Sequence, residues 1–169
     1  MAHILLVTGG AKSGKSRYAE ERCLSLSAKP IYVATAEIWD AEMAERVAEH
    51  RARRQDLWED HPETLNLAAA LDATDGRGAR LVDCLTLWLT NVMLGEHDIA
   101  AHRGALLAAL KRQTSPVVLV TNEVGMGIVP DNALARRFRD EAGRLNQYMA
   151  EIADEVVLVA CGLPLKLKG

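Results

Sequence analysis

The segment Gly9-Gly10-Ala11-Lys12-Ser13-Gly14-Lys15-Ser16 decides the fold prediction. It has G-x-x-x-x-G-K-S spacing, follows the apolar run His3 to Thr8 and opens the helical segment Lys15 to Leu26. Glycines permit a tight turn whose backbone N–H groups face phosphate oxygens, and the helix N-terminus adds partial positive charge. Lys15 would supply a cation for the β and γ phosphates, and Ser16 a hydroxyl for Mg²⁺. The segment predicts a phosphate loop; the alternative is a glycine-rich turn that binds nothing.

An acidic side chain at the end of a neighbouring strand is the expected partner of such a loop. Asp83 ends the run Arg80-Leu81-Val82-Asp83, and parallel strands bring their carboxyl ends to one rim of the sheet. We therefore expect Asp83 and Ser16 to hold the metal. The alternative is an Asp that caps the helix beginning at Leu85. Glu123, which follows the fourth strand, is the next acidic candidate on this rim.

Short apolar runs alternate with longer amphipathic segments along the chain, which indicates an α/β protein with a mainly parallel sheet flanked by helices. The strand candidates are His3 to Thr8, Ile31 to Thr35, Arg80 to Cys84, Val117 to Thr121 and Glu155 to Ala160, with Leu163 to Lys168 as a further edge strand. The helix candidates are Lys15 to Leu26, Ala41 to Arg54, Leu65 to Leu71, Leu85 to Leu94, Ala100 to Lys111 and Ala133 to Ile152.

Composition narrows the class of protein. The 169 residues fit one domain, 1–169, and 49% apolar with 25% charged residues exclude disorder. A net charge of −3 and only 4% aromatic residues argue against a nucleic-acid-binding face. The apolar runs are far shorter than the roughly 20 residues that span a bilayer, so we expect no membrane span and no signal peptide. Three scattered cysteines, without CxxC spacing, favour a reducing cytoplasm.

The segment after the second strand carries an unusual charge pattern. Its side chains at i, i+4, i+7 and i+8 share one helical face. Such a face could grip a triphosphate while an imidazole nitrogen attacks phosphorus, because guanidinium groups neutralise the developing charge. The alternative is a solvated histidine on a polar helix. The four residues are Arg46, His50, Arg53 and Arg54.

Taken together, these residues resemble the bifunctional adenosylcobinamide kinase/adenosylcobinamide-phosphate guanylyltransferases of the cobalamin pathway, essentially from end to end. The phosphate loop is common to many proteins, whereas the run Asn122 to Pro130 combined with the Arg/Asn-Gln helix is specific to this family. The segments that carry the resemblance are Gly9 to Ser16, Tyr32-Val33-Ala34-Thr35-Ala36, Asp40-Ala41-Glu42-Met43 leading to His50, Asp83-Cys84-Leu85-Thr86, Asn122-Glu123-Val124-Gly125-Met126-Gly127-Ile128-Val129-Pro130, Arg136-Arg137-Phe138-Arg139-Asp140 and Asn146-Gln147.

The resemblance implies a two-step enzyme with a RecA-like sheet that forms a homotrimer. ATP or GTP would phosphorylate adenosylcobinamide, and GMP from GTP would then pass to adenosylcobinamide phosphate, giving adenosylcobinamide-GDP and pyrophosphate. The carrier of GMP in this family corresponds to His50, which makes the catalysis covalent. Nucleotide-binding positions carried over by the resemblance are Gly9 to Ser16, Ala34, Thr35, Ala36, Arg51, Ala52, Arg53, Arg54 and Asp83.

One position departs from the family pattern. The family usually has Glu four residues after the tryptophan that corresponds to Trp58, whereas this chain has Pro62 there and Glu63 next. Either the loop shifts by one residue, so that Glu63 contacts the nucleotide, or that contact is lost.

Several roles stay open from the sequence. Two glycines and a proline make Asn122 to Pro130 a turn, or Glu123 serves as a base or orienting group for the cobinamide hydroxyl. Arg136, Arg139 and Asn146 could bind the corrinoid or a neighbouring subunit. Two other functions compete with the bifunctional enzyme. One is a small-metabolite kinase that uses His50 only to bind phosphate, and the other is a nucleotide-dependent conformational switch.

Overall fold

The fold is seen in a computed structural model that describes residues 1–38 and 40–169; the side chains of Arg46, His50, Arg53 and Gln55 lie outside the described set. The described part contains a seven-stranded sheet with six helices. The strands are β1 (Ile4–Gly9), β2 (Ile31–Ala34), β3 (Glu59–Pro62), β4 (Arg80–Asp83), β5 (Val117–Val120), β6 (Glu155–Ala160) and β7 (Leu163–Lys168). The helices are α1 (Lys15–Leu26), α2 (Ala41–Arg54), α3 (Leu67–Thr74), α4 (Leu85–Leu94), α5 (Ile99–Arg112) and α6 (Ala133–Ile152), with a short 3-10 turn at Gln55–Leu57.

The sheet has the order β3-β2-β4-β5-β1-β6-β7, and all pairs are parallel except β6 with β7. The predicted mainly parallel α/β architecture is therefore confirmed, including the edge strand at Leu163–Lys168, which the structure shows to be antiparallel. The strand that ends in Asp83 is not a direct neighbour of the phosphate-loop strand, because β5 lies between β1 and β4. The sequence interpretation was wrong on that adjacency, although both strands end on the same rim.

Both faces of the sheet are covered. On one face, side chains such as Leu6, Val82 and Leu119 pack with residues of α3, α4, α5 and α6, around the buried ring of Trp88. On the other face, Leu5 and Val118 pack with Ala19 and Cys23 of α1. Burial on both sides explains why the central strands are continuous apolar runs rather than alternating ones. The phosphate loop therefore follows β1, an inner strand of a sheet that is covered on both faces.

Strand β3 and the start of α3 differ from the sequence interpretation. Glu59–Pro62 is polar and has no apolar period, yet it pairs in parallel with β2 at the sheet edge. Helix α3 begins at Leu67 rather than Leu65, because the Asn66 side chain caps it by accepting from the Ala69 N–H at 3.4 Å. Pairing with β2 determines the position of β3, and the Asn66 cap determines the start of α3. Neither contact produces a pattern of apolar residues in the sequence.

No helix in the described ranges is both long and apolar enough to cross a bilayer.

Candidate nucleotide site

The phosphate loop is built around two glycines that have no room for a side chain. A Cβ on Gly9 would lie 2.5 Å from the carbonyl oxygen of Val159, and one on Gly14 would lie 3.1 Å from Cα of Gly162. Gly14 also has φ of +95°, which favours glycine, as it leads into α1. Gly9 and Gly14 are therefore required by close contact with the backbone of β6 and of the turn that follows it.

Backbone hydrogen bonds hold the loop on both sides. Gly162 N donates to Ser13 O at 2.8 Å, and Glu123 N donates to Gly9 O at 3.0 Å. The Ser13 hydroxyl oxygen is buried and has no hydrogen-bond partner among the described residues. The loop is thus held in shape by its neighbours before any nucleotide arrives.

Lys15 lies folded over its own loop. Its ammonium donates to Gly10 O at 3.0 Å, and the residue is buried. Burial lowers the pKa of Lys15, while the charges of Cys84 and Asp83 act in the opposite direction. The cation of the loop therefore lies within electrostatic reach of Asp83, even though β5 separates their strands.

The carboxylate of Asp83 is held by a tyrosine. Tyr32 donates its hydroxyl proton to Oδ2 of Asp83 at 2.5 Å. The helix-cap alternative for Asp83 is wrong, since the N-cap of α4 is Cys84 and no side chain caps that end. Tyr32 was assigned no role from the sequence, because a tyrosine within an apolar strand is usually an ordinary residue of the hydrophobic core.

The segment 34–36 is fixed at the rim beside Asp83. Ala34 is in register with Asp83 across β2 and β4. The Thr35 hydroxyl donates to Cys84 O at 2.8 Å and accepts from Cys84 N at 2.7 Å, while Asn91 donates to Thr35 O at 2.9 Å. Ala36 follows, half-buried. Asn91, a polar residue within the apolar helix α4, was missed, although its position in that helix was the available signal.

Ion pairs connect the C-terminal part of helix α2 to the edge strand β3. Arg51 Nε and Arg54 Nη2 lie 2.8 and 3.1 Å from the two carboxylate oxygens of Asp60 on β3. Arg54 is buried, and its guanidinium carbon lies 3.3 Å from the ring centroid of Tyr32. The backbone of His50 belongs to this helix, while its side chain and that of Arg53 lie outside the described residues. Ala52 is exposed.

The two other acidic candidates are engaged by backbone. Glu63 Oε1 accepts from Leu65 N at 2.9 Å and Asn66 N at 2.7 Å, and Glu63 N donates to Ala34 O at 2.9 Å. The carboxylate of Glu123 accepts from Gly125 N at 2.8 Å and Met126 N at 3.0 Å. Both residues therefore lie on the rim, and both shape their own loops.

The long loop and helix that follow are joined to the rim by polar contacts. Arg136 Nη1 donates to Pro130 O at 2.9 Å and Asp131 O at 2.8 Å, which fixes the end of the loop. Thr121 donates its hydroxyl proton to Asn146 Oδ1 at 2.7 Å. Arg139 Nε lies 3.7 Å from Asp140 Oδ1. All three helix residues left open by the sequence thus have structural partners in this chain.

The donor set at the rim fits Mg²⁺. Mg²⁺ prefers hard oxygen ligands and keeps several waters, so one hydroxyl and one carboxylate beside phosphates suffice. The Ser16 hydroxyl at the start of α1 and the Asp83 carboxylate supply that chemistry. Elsewhere in the described residues, no group of three or more His, Cys, Asp or Glu side chains could hold a metal.

Comparison with known proteins identifies the family that this chain matches. A family model described as "Cobinamide kinase / cobinamide phosphate guanyltransferase" matches residues 5–167. The chain is 47% identical to the bifunctional adenosylcobalamin biosynthesis protein CobP of Pseudomonas aeruginosa, covering 97% of this chain and 96% of that protein. It is 45% identical to the bifunctional adenosylcobalamin biosynthesis protein CobU of Salmonella typhimurium, covering 98% and 99%. The Escherichia coli protein of that name is 42% identical, with the same coverage.

Comparison with solved structures bears only on the fold, because the sequence identities are low. The chain is similar to an ATPase from the type III secretion system of pathogenic bacteria, with a TM-score of 0.54 and 12% identity over 97% of this chain. It is also similar to the P4 protein from bacteriophage phi6 in complex with ADP, with a TM-score of 0.52 and 17% identity over 97% of this chain. The chain spans 56% and 54% of those two chains. These likenesses support the predicted RecA-like phosphate-loop fold.

Proposed function

The chain belongs to the cobinamide kinase / cobinamide phosphate guanyltransferase family, and from that premise we propose that residues 1–169 form one domain that carries out both reactions. It phosphorylates adenosylcobinamide with ATP or GTP, and then transfers GMP from GTP to adenosylcobinamide phosphate. The observation that carries the proposal is a complete phosphate loop whose Lys15 lies within electrostatic reach of Asp83, in a chain that matches the family model over residues 5–167.

In the first step, the cobinamide hydroxyl oxygen attacks the γ-phosphorus of the nucleotide, and the nucleoside diphosphate leaves. The loop N–H groups and Lys15 bind the phosphates and stabilise the charge that develops on them. Ser16 and Asp83 would hold Mg²⁺, which neutralises phosphate charge when bound. The fixed loop supports this assignment, because donors already in place need no reorganisation during transfer.

In the second reaction, an imidazole nitrogen of His50 attacks the α-phosphorus of GTP and pyrophosphate leaves. A phosphate oxygen of adenosylcobinamide phosphate then attacks the same phosphorus, the P–N bond breaks, and adenosylcobinamide-GDP is released. Covalent catalysis of this kind divides one displacement into two. Support comes from the family match and from helix α2, which presents arginines beside the edge of the rim.

The nucleotide contacts of α2 require a change of partners. Arg51 and Arg54 pair with Asp60, so binding of GTP phosphates by Arg51 to Arg54 would exchange these pairs for phosphate contacts. Glu63 stands beside Ala34, and one carboxylate oxygen already accepts two N–H bonds. We assign Glu63 to the nucleotide site, where its other carboxylate oxygen, Oε2, would contact the nucleotide. This is the outcome expected if the loop is shifted by one residue relative to the family pattern.

The proposal extends to the assembly and the compartment. We propose a homotrimer, on the family resemblance, and a cytoplasmic location, which the three free cysteines Cys23, Cys84 and Cys161 support among the described residues.

The test of the covalent step is intact-mass measurement after incubation with GTP and Mg²⁺. We expect a gain of one GMP moiety, labile to acid and stable to alkali. His50→Ala should show no gain, whereas the matched control His102→Ala on α5 should gain GMP like the parent. No gain in the parent protein would favour a plain phosphate-loop kinase instead. Modification that persists in His50→Ala would move the nucleophile elsewhere.

Glu123 is tested by separating the two activities. As a base or orienting group for the cobinamide hydroxyl, Glu123→Gln should reduce phosphorylation far more than self-guanylylation. Equal retention of both activities would leave Glu123 with only its loop role, since its carboxylate accepts from Gly125 N and Met126 N.

A further inference from the structure

Tyr32 touches both parts of the site. It lies in β2, two residues before Ala34, and only 4% of it is exposed. Its hydroxyl donates to Asp83 Oδ2 at 2.5 Å, and its ring lies against Arg54 of α2. It therefore connects the carboxylate that faces the phosphate loop with the helix that carries His50.

The ring of Tyr32 is enclosed by two side chains. The guanidinium carbon of Arg54 lies 3.3 Å from the ring centroid, within the range of a cation–π contact. The Trp58 ring meets it edge-on, with centroids 5.7 Å apart and planes at 85°. Arg54 is itself buried and pairs with Asp60. The ring is consequently a buried attachment point for the C-terminal end of α2.

The hydroxyl of Tyr32 is the donor to Asp83. Its oxygen lies 2.5 Å from Asp83 Oδ2, and an ionised carboxylate can only accept hydrogen bonds. The hydroxyl therefore donates its proton to the carboxylate. A hydrogen bond from a neutral donor to a charged acceptor is stronger than one between neutral groups.

We propose that Tyr32 is a positioning residue for both reactions: its hydroxyl fixes the Asp83 carboxylate for the metal, and its ring fixes the C-terminal end of α2. The inference rests on the metal role of Asp83 under the proposed function. Without the hydroxyl, Asp83 is free to turn toward the ammonium of Lys15, on whose pKa its charge already acts. That ion pair would withdraw both groups from the phosphates and the metal.

Tyr32→Phe tests the hydroxyl, because it keeps the ring and the contact with Arg54. The readout is thermal stabilisation of the protein by GTP, titrated with Mg²⁺. We expect the Mg²⁺ concentration at half-effect to rise roughly tenfold, with GTP stabilisation in the absence of Mg²⁺ unchanged. In kinase assays kcat should recover at saturating Mg²⁺.

The matched control is Tyr18→Phe. The Tyr18 hydroxyl accepts from Arg22 Nη1 on α1 at 2.8 Å and, within the described part of the chain, makes no hydrogen bond to Asp83. Its Mg²⁺ half-effect should equal that of the parent. If Tyr32→Phe also keeps the parental half-effect, or loses stability equally at every Mg²⁺ concentration, the positioning role of the hydroxyl is overturned.

Tyr32→Leu tests the ring, by comparison with Tyr32→Phe. Loss of the ring should increase hydrogen exchange at the amides near Arg54, while the Phe variant retains parental protection there. Equal exchange in the two variants would overturn the ring's role in fixing α2. The comparison uses the folded protein at native conditions, so a lower melting temperature of the Leu variant does not decide it.

Asp83→Asn separates failure of the inference from failure of the proposed function. If Asp83→Asn raises the Mg²⁺ requirement and Tyr32→Phe does not, Asp83 keeps its role and Tyr32 loses its own. If Asp83→Asn leaves the Mg²⁺ half-effect unchanged, the metal role of Asp83 is wrong, and the inference fails with it.

Discussion

The phosphate loop and helix α2 are held in place by different kinds of contact. The loop is fixed by backbone hydrogen bonds and by glycines pressed against Val159 and Gly162. Helix α1, which follows it, buries Ala19 and Cys23 against the sheet. In α2, by contrast, Arg54 is the one buried side chain among those described, and Asp60 is the carboxylate that its two arginines share.

The difference teaches which part of the site is ready before substrate binds. A phosphate site benefits from donors that are already fixed, because no reorganisation is then needed. A helix held by side-chain ion pairs at a sheet edge can exchange those pairs for phosphate contacts at low cost, since partly exposed ion pairs contribute little. We therefore expect α2 to move on GTP binding about its C-terminal end, which the ring of Tyr32 holds through Arg54, and the loop to stay in place.

The largest effect is expected for Gly9→Ala. The new Cβ would lie 2.5 Å from Val159 O and 2.6 Å from Ser13 Oγ, so the loop must shift; overpacking costs about 3 kcal/mol. Nucleotide binding should be lost, as measured by calorimetry, and the free energy of unfolding should fall in denaturant titration. Gly143→Ala on α6, where a Cβ meets nothing within 4 Å, should stabilise by up to about 1 kcal/mol. Parental GTP affinity in Gly9→Ala would contradict the rigid-loop description.

A smaller effect is expected from the ion pair that joins α1 to β6. Arg22 Nη1 and Nη2 donate to the two oxygens of Glu155 at 2.9 and 2.7 Å. This hydrogen bonding lowers the pKa of Glu155 and outweighs its burial. Its stabilisation is therefore present above the unfolded pKa, about 4.3, and is lost as pH falls through the lower folded value.

Glu155→Gln should thus cost about 1–3 kcal/mol at pH 7. The difference in melting temperature between the variant and the parent should shrink as pH decreases below about 4. A difference that stays constant over that range would mean that Glu155 contributes through its size and not its charge.

Asp60→Asn sharpens the comparison from the other side. It removes the charge shared by Arg51 and Arg54, and we expect a loss of about 1 kcal/mol in unfolding free energy, because the pair with Arg54 is only partly exposed. Hydrogen exchange along α2 should increase, while the affinity for Mg²⁺-free GTP should not fall, because the loop keeps its shape and the two arginines are freed for phosphate contacts. A fall in GTP affinity would show that the two regions are not independent.

The smallest effect is expected for Arg17→Ala. Arg17 Nε pairs with Glu21 at 2.9 Å on the outer face of α1, with 80% and 61% of the two side chains exposed. Such pairs contribute at most about 0.5 kcal/mol. The free energy of unfolding, measured in denaturant, should be nearly that of the parent. A loss above about 1 kcal/mol would show that Arg17 makes a further stabilising contact.

Prediction from sequence succeeded where the signal is local. The phosphate loop, the strand that ends in Asp83 and the edge strand at Leu163–Lys168 were predicted from glycine spacing and from local apolar patterns, and the structure contains all of them. The antiparallel direction of the edge strand was not predicted. Strand β3 was missed because Glu59–Pro62 has no apolar period; its pairing with β2 decides its conformation. The assignment of His50 came only from family resemblance, since its pattern also fits a solvated helix.

The sequence by itself determined the class of fold and the identity of the phosphate loop, because both follow from short-range patterns that dihedral freedom and burial impose on neighbouring residues. Tertiary structure alone decided that β5 separates β1 from β4, that Tyr32 binds Asp83, and that Arg54 lies on the Tyr32 ring. These relations join residues distant in the chain. No local pattern encodes them, because they depend on the spatial order of the strands in the sheet and on how side chains from distant segments pack together.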